Sequence, residues 1–260
     1  MTQEDKRLRL DLALVQRQLA ESREKAQALI LAGKVTVDGQ RSDKPGRTVG
    51  SKSRIEVKEQ QRFVSRGGVK LEAALDRFRV PVEGKVCLDV GASTGGFTDC
   101  LLQRGATRVH AVDTGAGQIS WKLRTDSRVI LHERCNARYL KLEDIGEHVD
   151  LIACDVSFIS VTLLLPALAL ILKGDGDWII LVKPQFEVGR EFVGFGGIVR
   201  DEALHRMACE KVQQALNALG FFSELTDSPI LGAEGNREFL LWARRTSGME
   251  AVTLPQPSFL

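Results

Sequence analysis

The sequence of 260 residues is short of the side chains on which redox, metal and membrane proteins depend. Its five cysteines, Cys87, Cys100, Cys135, Cys154 and Cys209, are odd in number and include no C-x-x-C pair, and Cys87 and Cys154 sit inside apolar runs. That pattern argues against a disulfide framework and predicts buried, reduced thiols in a cytoplasmic protein. The four histidines show no H-x-x-x-H or other paired spacing, so no metal is expected. A membrane span needs about 20 apolar residues. The longest run here, Val161 to Leu172, falls short of that and contains Pro166, so no membrane partner is expected. The opening MTQEDKRLRLDLALV puts acids before its basic residues and has no uninterrupted apolar stretch, unlike a signal peptide. Net charge is also scarce at +2, but it is unevenly spread: residues 1–62 carry 14 Lys and Arg against 9 Asp and Glu, and the remainder carries 22 against 25. A basic module joined to a mildly acidic body suits polyanion binding beside a separate catalytic domain, although a solvated charged face has the same composition.

What is present is enough for two domains, since 43% hydrophobic residues can build one full-sized core. Apolar residues recur at helical spacing from Leu8 to Leu19. A second helix is announced by Ser22 as N-cap and closed by Gly33. VTVDG (35–39) and RIEV (54–57) read as short strands around a polar loop. This unit, RLDLALVQRQLAESREKAQALILAGKVTVDG, resembles the S-four RNA-binding domain. The resemblance implies a face for structured RNA, with Arg9, Arg23, Lys25 and Lys34 as phosphate contacts.

The first domain is assigned to 1–58, a linker to 59–67, the second domain to 68–246 and a loose tail to 247–260. From Lys85 onward the apolar runs VCLDVG, TRVHAVD, RVILH, VDLIACDVS and DWIILVK alternate with helical patterns near 96–104, 118–124 and 161–172. Such alternation implies an α/β fold with a doubly wound parallel sheet. A helix over 201–219 is followed by GFFSELT (220–226) and REFLLWA (237–243), read as an antiparallel pair joined by a short loop. Seven strands ending this way resemble the Rossmann-like class I methyltransferase fold.

Gly91-Ala92-Ser93-Thr94-Gly95-Gly96-Phe97 follows the first strand and opens a helix, where doubly wound sheets bind ligands. A dinucleotide loop wants glycine where Ser93 stands, which favours a ligand less rich in phosphate, such as S-adenosyl-L-methionine; a glycine turn used only for packing, or an NAD site, stays open at this point. Asp113 ends the next strand, at the spacing from which an acid reaches a ribose hydroxyl pair. Gly189 to Gly197 is glycine-rich without a phosphate-loop ending and reads as a substrate-side loop. Arg66 lies in the SRGG turn and is a further candidate phosphate contact.

Four ionisable residues stand at predicted strand or helix ends: Lys70 in SRGGVKL, Asp155 in ACDVSFIS, Lys183 in LVKPQFE and Glu238 in GNREFLL. Charges abutting apolar strands are site candidates, although any one of them could be a satisfied charge in loop water. The set Lys, Asp, Lys, Glu in this order resembles the catalytic tetrad of the FtsJ-like ribose 2′-O-methyltransferases. Taken with LDVGASTGGFTDCLL, AVDTGAGQ, CDVSFIS, LVKPQFE and GFGGIVRD, the likeness is to the TlyA family of rRNA methyltransferases and covers nearly the whole chain. It implies S-adenosylmethionine-dependent methylation of a ribose 2′-hydroxyl in ribosomal RNA or ribosomal subunits, at cytidine. It also implies Asn136 as an adenine contact and a second role for Asp155 at the cofactor. By charge logic Lys183 would hold or take the hydroxyl proton, Asp155 would orient Lys183, and Glu238 would hold Lys70. Base N-methylation fits less well, because Asp-Val-Ser-Phe replaces the usual acid or Asn, two prolines and an aromatic. Proteins resembling this family have been labelled haemolysins, which would imply a membrane-active toxin. An RNA-binding protein without catalysis is the remaining alternative.

Overall fold

The computed structural model describes residues 7–57 and 62–245. Positions 59–61 of the expected linker and the whole expected tail, 247–260, lie outside the described residues. Two compact units divide between positions 61 and 62.

In the first unit, helices Leu10–Gln16 and Arg23–Leu31 pack over strands Val35–Val37, Gln40–Ser42 and Ile55–Val57, with Val35–Val37 antiparallel to both others. Ser22 caps the second helix by accepting a hydrogen bond from Lys25 N, and Gly33 leaves it at φ +66°. The helical period expected from Leu8 begins two residues later, because Leu8–Arg9 is a strand paired with Thr48–Val49. Leu10, Leu14, Ala26, Ile30, Val35, Val37, Val49 and Ile55 are buried together.

The second unit holds a seven-stranded sheet, labelled here from its first strand: β1 Val86–Val90, β2 Arg108–Asp113, β3 Val129–Glu133, β4 Val149–Cys154, β5 Leu172–Val182, β6 Phe221–Asp227 and β7 Phe239–Arg245. Their order across the sheet is β6-β7-β5-β4-β1-β2-β3. β3, β2, β1, β4 and β5 run parallel, and β7 is antiparallel to both β5 and β6. Alternation along the strands feeds two cores. Leu88, Val90, Ile152, Trp178 and Ile180 face helix Glu202–Ala218, while Cys87, Val109, Leu151, Ile179 and Leu181 face helices Gly67–Phe78 and Gly96–Gln103. Phe63, in the stretch read as linker, is buried in the second of these cores. Four of the five cysteines are buried and Cys135 is half-buried; all are free, and burial pushes the Cys87 and Cys100 thiols up to about 12.

Two expectations need correction. The apolar run 161–172 is not one helix: a 3-10 turn, Val161–Leu163, precedes a short helix, Leu165–Ala169, and Leu172 already belongs to β5. Burial dictates this, since the run must cover the core and then re-enter the sheet within a few residues. The loop between β6 and β7 is also longer than expected, spanning 228–238, and Glu238 precedes the strand rather than lying in it.

Asp177, only 1% exposed on β5, fastens the sheet across three elements. It accepts hydrogen bonds from Lys85 Nζ (3.0 Å), Trp242 Nε1 (3.0 Å) and Arg244 Nε and Nη2 (2.9 Å each). Removing the acid costs charged hydrogen bonds to Lys85 and Arg244, which keep access to water, and one to Trp242, so Asp177→Ala should cost about 1–3 kcal/mol. Urea unfolding followed by tryptophan fluorescence measures this; an unchanged midpoint would remove Asp177 from the sheet's support.

Candidate active site

The strand order reverses at β1 and β4, and ligands of doubly wound sheets bind outside the carboxyl ends at such a point. Gly91 and Asp155 are the first residues beyond those two strands, and Asp155 N donates to Val90 O at 2.9 Å. A Cβ on Gly91 would lie 2.5 Å from the Asp155 carbonyl oxygen, and the residue holds φ +85°. Glycine is therefore required there for close approach as well as for backbone conformation. Lys183 follows β5 directly. Because β7 runs antiparallel to β5, with Val182 opposite Phe239, Glu238 arrives at the same edge from the opposite direction. Lys70 comes from the first turn of helix Gly67–Phe78.

These four residues line one cleft of about 690 Å³. Lys183 Nζ lies 2.6 Å from Asp155 Oδ1 and donates to Ser157 Oγ at 2.9 Å. Lys70 is paired with Glu238, and both are buried, at 7% and 4% exposure. Each lysine therefore has its own carboxylate, and the four charges cancel. Arg66, exposed, also lines the cleft, as do Thr94, Gly96 and Phe97. Phe158 stands at the rim with φ +66°, 91% exposed, its ring centroid 5.3 Å from that of Phe186.

A second depression of about 440 Å³ shares Gly91, Ser93 and Asp155 with the first and adds Asp113 and Asn136. Asp113 Oδ2 accepts from Ser93 N (2.8 Å) and its Oδ1 from Gly115 N (2.7 Å), which braces the glycine loop against the next strand end. Asn136 is exposed, and its side-chain oxygen accepts from Arg138 N. Gly95 lines neither depression: it is buried, and a Cβ there would meet Leu123 Cδ1 at 2.2 Å. A bare α-carbon there lets the Leu123 side chain pack beneath the loop. The Gly189 to Gly197 segment contributes Val193, Gly196 and Gly197 to the larger cleft. Among the described residues no group of three His, Cys, Asp or Glu is arranged to hold a metal ion.

In the first unit Arg9 and Arg23 are exposed and share Asp11, exposed Lys25 is paired with Glu21, and Lys34 is half-buried.

Sequence reasoning missed three residues that shape these sites. Ser157 holds Lys183 and lies within the quoted CDVSFIS block. Asn236, 3% exposed, accepts from Val199 N (3.1 Å) and donates to Gly197 O (3.0 Å), tying the glycine-rich segment to the turn before Glu238. Nothing local in the sequence signals that contact. Asp89 was legible as an acid inside an apolar strand. It is fully buried beneath the glycine loop, its Oδ2 accepts from Thr98 N (2.9 Å) and Thr98 Oγ1 (2.6 Å), and its Oδ1 has no partner.

Two predictions follow from the loop. Gly91→Ala should lose at least ~2 kcal/mol, because a left-handed backbone and a backbone clash act together; a urea midpoint equal to that of the parent would refute the close approach. Burial pushes the Asp89 carboxyl up from 3.8 to about 7, against the Thr98 hydrogen bonds and with help from Asp155. Between about pH 4 and 7 the folded protein therefore keeps a proton that the unfolded chain has released. The contribution is complete below pH 4 and lost as pH rises through 7. Asp89→Asn cannot ionise, so its stability relative to the parent should rise across that window by up to ~4 kcal/mol. A flat difference curve would mean that Asp89 is ionised in the fold.

Comparison with known proteins agrees with this architecture. The family model for FtsJ-like methyltransferase matches residues 63–245, and that for the S4 domain matches residues 8–55. The 16S/23S rRNA (cytidine-2'-O)-methyltransferase TlyA of Mycobacterium tuberculosis is 47% identical, over 92% of this chain and 90% of its own. Hemolysin A of Brachyspira hyodysenteriae is 43% identical, over 90% of this chain and 98% of its own. A solved structure from Streptococcus thermophilus that carries a provisional hemolysin name superposes with a TM-score of 0.70 at 44% identity, covering 94% of this chain and 90% of its own. Among the described residues no helix is long and apolar enough to cross a membrane. The chain belongs to the FtsJ-like methyltransferases, and within them to the TlyA family, in which an S4 domain precedes the methyltransferase domain.

Proposed function

We propose that this protein transfers a methyl group from S-adenosyl-L-methionine to the 2′-hydroxyl of a cytidine in ribosomal RNA, in one or both ribosomal subunits, and therefore works in the cytoplasm. The domain limits follow the same reading, with residues 1–58 as the RNA-binding domain and 68–246 as the core of the methyltransferase domain. The observation that carries the proposal is the convergence of two lysine–carboxylate pairs on one cleft beside the glycine loop.

The residues fit the cofactor. Gly91 leaves the backbone bare where β1 meets β4, and the smaller depression offers Ser93, Asp113, Asn136 and Asp155 as polar partners for a nucleoside bearing an amino-acid arm. Thr94, Gly96 and Phe97 border the larger cleft and continue the same wall. The cofactor supplies an electrophilic methyl carbon on a sulfonium.

What the chain must add is alignment and a destination for a proton, because a ribose hydroxyl is a weak acid. Lys183, fixed by Asp155 and Ser157, is placed to hydrogen-bond that hydroxyl. As an ammonium it stabilises the developing oxyanion, and only as the neutral amine, after losing a proton to solvent, does it receive the hydroxyl proton as the oxygen attacks. Asp155 keeps the amine aimed. Lys70 adds a second positive charge for the developing negative oxygen, and Glu238 holds Lys70 rather than the substrate. Phe158 and Phe186 offer ring faces to an unstacked base, and Arg66 offers a cation to the backbone. The names of the relatives support the choice of substrate: the Mycobacterium tuberculosis and Campylobacter jejuni proteins are named rRNA (cytidine-2'-O)-methyltransferases.

The test offers purified bacterial ribosomal subunits to the protein with methyl-labelled cofactor and locates the label by nuclease digestion and mass spectrometry. A ribose methyl on cytidine is expected. Lys183→Ala should lower turnover by about 10²–10⁴-fold, the usual contribution of a proton-transfer residue, while leaving cofactor affinity by calorimetry within about twofold of the parent. Label on a base, or near-normal turnover without Lys183, would overturn the mechanism.

A further inference from the structure

The first unit contains a buried acid that the reading above leaves without a task. Asp11, in the first turn of helix Leu10–Gln16, has 0% exposure. Its Oδ1 accepts from Arg9 Nε (3.1 Å) and Leu12 N (2.9 Å), and its Oδ2 accepts from Arg9 Nη2 (2.9 Å), Arg23 Nε (3.1 Å) and Gln27 Nε2 (3.0 Å). These donors, Arg9 foremost, hold its carboxyl well below the usual carboxylate range. Burying a carboxylate is costly unless both oxygens are compensated, and here each accepts from at least two donors.

What the acid achieves is geometric. Arg9 belongs to the strand before the first helix and Arg23 opens the second, so one carboxylate binds guanidinium groups from two elements. Arg9 is gripped by two nitrogens, which fixes the plane of its guanidinium. Both arginine side chains remain about half exposed, at 47% and 50%, and Arg9 Nη1 and both outer nitrogens of Arg23 donate to no described residue. The result is two guanidinium groups with inner faces anchored and outer donors turned to solvent. An arginine whose fork is already set loses less conformational freedom when it meets a phosphate.

We propose that Asp11 is a positioning residue that sets Arg9 and Arg23 as a paired clamp for neighbouring phosphates of a structured RNA. This rests on the reading that the first unit binds RNA. The clamp trades charge for order: with Asp11 ionised the three groups carry one net positive charge, where the arginines alone would carry two.

That trade gives the test its sign. Asp11→Asn keeps the shape and one acceptor oxygen and removes the negative charge. Were Asp11 only a counter-charge or a core element, the folded variant would bind RNA more tightly and with a steeper salt dependence. A lost clamp gives the reverse: binding of the full-length protein to purified bacterial ribosomal subunits should weaken about tenfold, and the slope of log affinity against log salt should flatten by about one to two phosphate contacts. In an Arg9→Gln, Arg23→Gln background, Asp11→Asn should change neither quantity. Arg9→Lys keeps the charge but cannot grip the carboxylate with two nitrogens, and it should weaken binding as Asp11→Asn does; it decides the matter if Asp11→Asn fails to fold. If the double arginine variant binds like the parent, the RNA-binding reading of this unit falls. If that variant binds poorly but Asp11→Asn or a folded Arg9→Lys binds as tightly as the parent, the positioning role alone falls.

Discussion

Lys70 and Lys183 are each matched to one carboxylate, and that matching lets four charged side chains share one cleft. A charge as enclosed as that of Lys70 or Glu238 is costly unless an opposite charge lies in contact with it, and here each is the other's partner. Inserting β7 antiparallel beside β5 brings Glu238, at the start of one strand, to the edge where Lys183 ends the other, and the first turn of helix Gly67–Phe78 brings Lys70 to Glu238 there. The surroundings give way to it as well: a Cβ on Gly232 would lie 2.1 Å from Glu238 Oε1, so the chain beside the carboxylate is kept bare.

The two pairs differ in freedom, and under the proposed mechanism that difference separates support from chemistry. Lys70 and Glu238 are buried and touch each other, which leaves them little scope to follow a substrate. Lys183 and Asp155 are more open, at 12% and 22% side-chain exposure, and Lys183 has a neutral hydroxyl, Ser157 Oγ, as a second partner. An incoming hydroxyl can replace that serine contact without breaking an ion pair. Lys183 can thus bind an acceptor at low cost while its charge stays compensated by Asp155.

The sequence made legible whatever repeats or punctuates. The β-rich runs marked six of the seven sheet strands nearly to their ends, because alternate residues must face two cores. The glycine loop was visible because a strand ends there and a helix begins. Lys70, Asp155 and Lys183 could be singled out because charged residues at the edges of apolar elements are unusual. The misreadings came where burial outweighed period. Val161 to Leu172 is apolar on every side because it crosses from a helix face into the sheet, so its pattern cannot say where one element stops. Glu238 looked like part of a strand because Phe239 onward continues the same alternation. Asn236 was invisible for another reason: its partners, Gly197 and Val199, lie on a different loop, and only the tertiary fold brings them together.

Acids are used in three different ways in this chain, and the number of donors around each distinguishes them. Asp89 meets only Thr98, through its backbone N–H and its hydroxyl, with no cation in contact, and burial then favours the protonated form. Asp155 meets one lysine, which leaves a compensated pair whose partner can still turn toward a substrate. Asp11 meets two arginines, an amide side chain and a backbone N–H, more donors than one carboxylate needs for neutrality, so the excess positive charge is displayed outward. One residue type therefore yields a neutral brace, the partner of a single lysine and an anchor for two arginines. Which of these it becomes depends on how many cations the fold delivers to it.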